Sequence, residues 1–218
     1  MSLPLQKILS SVDHTALSRG ATKEDIMRLC DEANQVSAAS VCVPPCYVSL
    51  ARQCVKNGVK VCTVIGFPHG YNTTETKVFE TRDAIEKGAD EIDMVICNNA
   101  VKNGDYAAVT EEIRRVKEAC GDKVLKVIVE TCLLTEEEKV AMCHAVTEAG
   151  ADFIKTSTGF EKSGATIADV KLFRANVGAG VKVKAAGGIR SIESAAEYLD
   201  AGAGRIGASA VIKEYLKK

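Results

Sequence analysis

Missing from this chain are the features that tie a protein to nucleic acid, a membrane or a bound metal. Its 28 Lys and Arg are almost matched by 29 Asp and Glu, giving a formal net charge of −1. No field therefore draws it toward phosphate backbones or anionic lipid. Basic residues are spread along the chain and cluster only at Lys217-Lys218, so no nucleic-acid partner is expected. No apolar run approaches the ~20 residues that cross a bilayer, and no membrane partner is expected. The start, Met1-Ser2-Leu3-Pro4-Leu5-Gln6-Lys7, lacks the basic-then-apolar order of a secretory signal. The nine Cys contain no C-x-x-C pair and sit mostly in apolar segments such as Val41-Cys42-Val43 and Val61-Cys62-Thr63. Thiols used this way, as small hydrophobes, suit a reducing compartment, and a cytoplasmic location is the expectation. Cys42 and Cys46 flank two prolines, a weak zinc signal. His14, His69 and His144 are far apart, with no H-E-x-x-H or comparable ligand spacing. Neither a metal nor another cofactor is expected.

What is present is a recurring unit: an amphipathic segment, a glycine, then a short β-rich run. Lys56-Asn57-Gly58 leads into Val59–Ile65, and Lys87-Gly88-Ala89-Asp90 into Glu91–Val95. Ala149-Gly150-Ala151-Asp152 leads into Phe153–Lys155, and Ala201-Gly202-Ala203-Gly204 into Arg205–Gly207. A glycine there can take the left-handed conformation that ends a helix. Adding Val12–His14, Ser40–Val43, Val124–Glu130 and Val181–Ala185 completes eight predicted strands. Helices are predicted between them, among them Thr22–Val36, Thr73–Lys87, Asp105–Ala119, Thr135–Ala149 and Ile192–Ala201. Several open on Ser or Thr with an acid close behind, as in Thr22-Lys23-Glu24-Asp25, Thr135-Glu136-Glu137-Glu138 and Ser191-Ile192-Glu193. Eight evenly spaced strand–helix units in 218 residues predict an α/β protein, a single-domain (β/α)8 TIM barrel over residues 1–218. A doubly wound open sheet, the rival, rarely carries so many even repeats.

Active sites of such barrels lie at the C-terminal ends of the strands. Those positions carry Asp13, Cys42, Asp93, Glu130, Lys155 and Lys184. Lysine is uncommon in strands and rarely buried unpaired, so two at strand ends are unusual. Lys155 precedes Thr156-Ser157-Thr158-Gly159, and Lys184 precedes Ala185-Ala186-Gly187-Gly188 on the neighbouring strand. Adjacent strands lie roughly 4.8 Å apart, so the two amines can meet. Two ammonium groups about 5 Å apart at an effective dielectric near 20 repel by ~3 kcal/mol, on the order of two pKa units. One amine would then be partly neutral and nucleophilic toward a carbonyl. The bland alternative is two lysines paired with carboxylates or reaching to solvent. Asp93, sharing a face with Glu91, balances charge or carries a proton. Lys126 and Glu130 share a face of strand five and read as structural, with Lys126 able to join a proton network. Gly187-Gly188 and Gly207-Ala208-Ser209, the latter opening the final helix, are predicted to present backbone N–H groups to a phosphate.

With these residues in view, the chain resembles the deoxyribose-phosphate aldolases over nearly its whole length. The resemblance rests on Asp13-His14-Thr15, Val64-Ile65-Gly66-Phe67-Pro68, Glu91-Ile92-Asp93-Met94-Val95, Phe153-Ile154-Lys155-Thr156-Ser157-Thr158-Gly159 and Lys184-Ala185-Ala186-Gly187-Gly188-Ile189-Arg190. It implies Lys155 as Schiff-base lysine, Lys184 as the second lysine that lowers its pKa, and Asp93 as the proton-relay acid. Phosphate contacts fall on Gly159, Gly187, Gly188, Gly207 and Ser209, with Asp13 and Lys126 supporting. The implied activity is that of a lyase of deoxyribonucleotide catabolism. It reversibly cleaves 2-deoxy-D-ribose 5-phosphate to D-glyceraldehyde 3-phosphate and acetaldehyde, without cofactor. Partners would be small phosphorylated sugars and aldehydes and further copies of the chain, as a homodimer or higher homo-oligomer. Departures from the family pattern occur at Pro44, His69, Tyr71 and Ala210, which bear on loop shape and phosphate contacts. Rivals are another Schiff-base sugar-phosphate aldolase or transaldolase, a metal-free sugar-phosphate isomerase, and a non-catalytic phosphate-ligand sensor.

Overall fold

Alternation of apolar and polar residues decides which way each strand faces. In the computed structural model, which describes residues 3–217, eight parallel strands close in chain order into a barrel. They are β1 (Val12–Thr15), β2 (Ser40–Val43), β3 (Lys60–Ile65), β4 (Glu91–Val95), β5 (Val124–Ile128), β6 (Phe153–Lys155), β7 (Lys182–Ala186) and β8 (Arg205–Ala208). The ring is sealed where β1 pairs with β8, His14 opposite Ala208. Period two divides each strand between two environments. Val41, Val61, Ile92, Leu125, Ile154, Val183 and Ile206 belong to one large apolar core shared with helix residues such as Ile26, Ile113 and Phe173. Cys42, Cys62 and Val64, at the other parity, form a separate small cluster. The predicted closed barrel is the observed fold.

Ten helices cover it among the described residues: α1 (Leu5–Leu9), α2 (Lys23–Val36), α3 (Val48–Cys54), α4 (Thr74–Glu86), α5 (Asn98–Lys102), α6 (Tyr106–Cys120), α7 (Glu136–Glu148), α8 (Ile167–Asn176), α9 (Ile192–Asp200) and α10 (Val211–Leu216). Helix α2 buries Ile26, Leu29, Cys30, Ala33 and Val36, the three-and-four spacing of one helical face. Its start is fixed by a reciprocal cap between Thr22 and Asp25, and α7 repeats the device with Thr135 and Glu138. The predicted helix-ending glycines Gly58, Gly88, Gly150 and Gly202 all have positive φ. No helix among the described residues is long and apolar enough to cross a membrane.

Five strands differ from the sequence reading in their bounds, β1 and β8 by running one residue further, to Thr15 and Ala208. β3 starts at Lys60 because the Val59 N–H donates to the Lys56 carbonyl in a turn. β7 runs one residue later than expected. β5 stops at Ile128, since Glu130 takes a left-handed backbone (φ 58°) and turns the chain out of the sheet.

One buried ion pair ties the helical layer to the rim. Lys77 of α4 is fully buried, and its Nζ donates to the Gly70 and Val95 carbonyls (2.6 and 2.8 Å) and to Glu112 of α6 (2.7 Å). Burial raises the Glu112 pKa, with Lys77 opposing. Removing one member of such a pair strands the other charge in a dry interior. Lys77→Met is therefore expected to lower unfolding free energy by about 3–5 kcal/mol in urea denaturation. A loss of about 1 kcal/mol or less, the worth of a surface pair, would show that this contact does not hold the layer.

Candidate active site

Barrels of this type ordinarily fill their interior with Val, Ile and Leu; this one places a cluster of charges there. Asp13, Glu91, Asp93, Lys126, Lys155 and Lys184 are all buried, none more than 3% exposed. Arg205, half-buried at the start of β8, joins them. The register explains the meeting: Asp93 lies opposite Lys126, Lys155 opposite Lys184, and Lys184 opposite Arg205. Side chains of one parity on neighbouring strands point inward together.

Asp93 is the hub. Its Oδ2 accepts from Lys155 at 2.7 Å and from Lys184 at 2.6 Å, and its Oδ1 accepts from Lys126 at 2.9 Å. Below it, Lys184 also pairs with Asp13 at 2.5 Å and Lys126 with Glu91 at 2.5 Å. Arg205 closes the network on Asp13 (2.6 Å) and Glu91 (3.1 Å), and Ser40 donates to Asp13 at 2.7 Å. Burial opposes the charges of Asp13, Asp93, Lys126, Lys184 and Arg205, but their partners outweigh it. Lys126, Lys155 and Lys184 hold the Asp93 carboxyl well below its ordinary range. Lys184, Lys126 and Arg205 do the same for Asp13. In return, Asp13 and Asp93 raise the Lys184 pKa, and Asp93, Cys62, Asp13 and Glu91 raise that of Lys126.

This differs from the electrostatics expected of the sequence. Lys155 and Lys184 do converge, but on one carboxylate oxygen that lies between them. Bare repulsion between two ammonium groups is thus not the governing interaction; Lys184 is the member held protonated. Lys155 has a single carboxylate partner, Asp93, where Lys184 has two and Lys126 three. It alone of the three lines the open mouth.

That mouth is a cavity of about 930 Å³, bounded by Lys155, Gly159, Gly187, Gly188, Gly207 and Ser209. All five predicted phosphate contacts therefore share one cavity with the Lys155 amine. Gly187 and Gly188 have φ of 88° and 80°, a backbone that side chains disfavour. Gly207 has a different reason: a Cβ there would stand 2.9 Å from Ala186 Cβ and 3.2 Å from Lys184 Cε. The predicted help from the final helix is small, because α10 has only six residues and Ser209 precedes it in a loop. Three cations, Arg19, Arg190 and Lys213, also line the cavity. Arg190 was legible as the charge following Gly187-Gly188-Ile189; Arg19 and Lys213 carry no local signal.

Other expected residues fall elsewhere. Glu130 does not join Lys126; it accepts from the Thr158 N–H at 3.1 Å and from the Thr158 hydroxyl, which shapes the turn after Lys155. Burial raises its pKa. His14 pairs with Glu32 at 2.7 Å on the helix-facing side, and His69 stacks on Tyr71. Pro44 lines a separate apolar pocket with Leu17, Val64, Phe67 and Phe160. Cys62, read only as a core thiol, donates to Asp93 Oδ1 at 3.2 Å and lies 3.4 Å from Lys126 Nζ.

Known proteins resemble this chain over most of its length. A family described as DeoC/LacD family aldolase matches residues 7–217. The deoxyribose-phosphate aldolase of Clostridioides difficile strain 630 is 56% identical over 96% of this chain and 95% of its own. Among solved structures, the aldolase QR15 superposes with a TM-score of 0.92 at 40% identity, covering 96% of each chain. A tetrameric deoxyribose phosphate aldolase from Aeropyrum pernix superposes at 0.86 and 32% identity, over 98% of this chain and 92% of that one. An orotidine 5'-phosphate decarboxylase from Pyrococcus horikoshii, at 0.66 and 13% identity, shares the fold alone. With a family match across almost its full length and relatives above half identity, the chain belongs to the DeoC/LacD family of aldolases.

Proposed function

We propose that this aldolase reversibly cleaves 2-deoxy-D-ribose 5-phosphate to D-glyceraldehyde 3-phosphate and acetaldehyde through a Schiff base on Lys155. The observation that carries the reading is an amine at the cavity floor with Asp93 at 2.7 Å and a second lysine on the same carboxylate oxygen. Charge balance supports it. Four cations (Lys126, Lys155, Lys184, Arg205) face three carboxylates (Asp13, Glu91, Asp93) in the network. Release of one proton leaves the cluster neutral, and Lys155 is the cation with the fewest carboxylate partners and access to substrate.

The Lys155 amine attacks the C1 aldehyde of the open-chain sugar, forming a carbinolamine that loses water to a protonated imine. The imine accepts the electron pair as the C2–C3 bond breaks, while the C3 hydroxyl proton leaves. Asp93, held so far below neutral pH, is a reluctant base by itself. The Asp93–Lys184 pair, acting through a water, passes that proton while Asp93 stabilises the positive imine. The enamine is reprotonated at C2, and hydrolysis frees acetaldehyde and restores Lys155. The phosphate is read as seated against Gly159, Gly187, Gly188, Gly207 and Ser209, with Arg190 and Lys213 supplying charge. Binding energy remote from C2–C3 then holds the sugar in register. Asp13 and Lys126 position the hub. The tetrameric Aeropyrum pernix relative and the exposed Phe79 and Tyr71 support a homo-oligomer. Nine free cysteines support a reducing, cytoplasmic location.

Borohydride reduction in the presence of acetaldehyde should label the peptide containing Lys155, and Lys155→Ala should lose both label and turnover. Asp93→Asn should cut kcat by about 10²–10⁴-fold, the range for a positioned proton-transfer group. Near-normal turnover in Lys155→Ala, or label on another lysine, overturns the assignment.

The phosphate seat is tested separately. Ser209→Ala should reduce kcat/KM for the phosphorylated sugar on the order of 10–100-fold, the worth of a hydrogen bond to a charged group. Cleavage of unphosphorylated 2-deoxyribose should be nearly unchanged. Equal losses on both substrates would move the phosphate away from Ser209.

A further inference from the structure

We propose that Cys42, Cys62 and Asp93 form a binding site for a thiophilic divalent cation of the Zn²⁺ or Cd²⁺ class, and that its occupancy switches the active site off. Cys42 and Cys62 are direct register partners on β2 and β3, and both belong to the small inner cluster. Their sulfurs and an Asp93 oxygen all lie within 4.8 Å of one another, in a fully buried group. Cys62 Sγ and Asp93 Oδ1 are 3.2 Å apart.

These separations are within reach of one shared metal ion, and both thiols are free. Zn–S bonds of ~2.3 Å and Zn–O bonds of ~2.0–2.2 Å at tetrahedral angles put two sulfurs about 3.8 Å apart and sulfur and oxygen about 3.5 Å apart. A disulfide would need the sulfurs at ~2.05 Å. Register pairing across adjacent strands, roughly 4.8 Å apart, sets the two thiols side by side. Soft sulfur ligands select for this cation class over Mg²⁺ or Ca²⁺.

The nearby lysines do not forbid the ion. Binding releases both thiol protons to solvent, so the incoming dication replaces two unit charges and the net charge of the interior is unchanged. Lys126, 3.4 Å from Cys62 Sγ, then faces a thiolate rather than a thiol. Its ammonium also keeps Glu91 at 2.5 Å when Asp93 Oδ1 turns to the metal. Leu17 and Phe67, partly buried, cover the small cluster that holds the two cysteines, and both line the neighbouring apolar pocket, so entry of the ion requires those two side chains to move. A water from that side would complete four-coordination. The cost falls on Asp93: its Oδ1 lone pairs go to the cation, which weakens the field that organises Lys155 and Lys184. The cation site stands on geometry alone, whereas its inhibitory effect rests on the proposed aldolase reaction.

The test separates the two. Titration of the full-length protein with Cd²⁺, followed by thiolate-to-metal absorption in the ultraviolet, should saturate at one ion per chain. Cys42→Ala and Cys62→Ala, on different strands so that one decides should the other fail to fold, should each weaken this binding at least about tenfold. Cys46→Ala, at an exposed thiol, should leave it unchanged. Zn²⁺ should abolish 2-deoxyribose 5-phosphate cleavage in step with occupancy, and EDTA should restore it. Full-strength binding in either folded inner-cysteine variant, or its loss in Cys46→Ala, overturns the site. Binding at one ion per chain with undiminished turnover overturns the inhibitory effect while leaving the aldolase reading intact.

Discussion

A single carboxylate in a dry barrel organises three amines, and the charged part of the interior depends on it. Asp93 receives Lys126 on one oxygen and both Lys155 and Lys184 on the other. Without that charge, three ammonium groups would share a space from which water is excluded, where their repulsion is largest. With it, each lysine has a fixed direction, and the Lys155 amine is aimed at the cavity rather than left to find its own rotamer. The same contacts keep Asp93 ionised. Carboxylate and amines thus each justify the burial of the other, and neither could have been introduced alone.

Burying such a cluster costs more desolvation energy than apolar packing would. The arrangement limits that cost by giving nearly every charge at least two partners. Asp13 receives Lys184, Arg205 and Ser40, and Glu91 receives Lys126 and Arg205. Arg205 matters because its planar fork spans two carboxylates at once, which a lysine in its place could not do. Phe153 lies beneath it, with the ring centroid 5.6 Å from the guanidinium carbon, so its apolar face also has a partner. The lower tier is an ionic plate on which the reactive tier stands. Lys155 stands apart from it, paired to the network through Asp93 alone.

Much of this was legible in the residue order. Strand position singled out Asp93, Lys155 and Lys184, period two put Lys126 on one face with Glu130, and the glycine turns at β7 and β8 marked one rim. Register between strands was not legible, because alternation says which face a side chain takes and not how high it stands. For that reason the repulsion between two adjacent lysines was weighed ahead of the alternative in which a carboxylate pairs with both, and Asp93, already read as balancing charge, stands at their height. Cys62 was hidden for a different reason: a thiol in an apolar run looks the same whether it faces helices or carboxylates. Glu130 read as the continuation of β5, yet its left-handed backbone takes it to Thr158 instead. Nothing in Val129-Glu130-Thr131 announces that turn.

The lysine cluster and the glycine rim proposed to bind phosphate are joined by sterics as well as by charge. A side chain at Gly207 would collide with Ala186 and crowd Lys184. One missing Cβ therefore gives the second lysine its room and leaves backbone open toward the cavity. On the facing side, the Thr156 hydroxyl bonds both the N–H and the carbonyl of Ala186, each at 3.1 Å, locking the ends of β6 and β7 together. Ala165 N–H reaches the Ala186 and Gly187 carbonyls, and Gly164 approaches Gly187 too closely for any side chain. The rim proposed to hold the phosphate is thus bolted directly to the strands that carry Lys155 and Lys184. Rigidity of this kind lets a contact made at one end of a small substrate fix the position of a carbon at the other. A looser rim would let the anion bind while the aldehyde wandered.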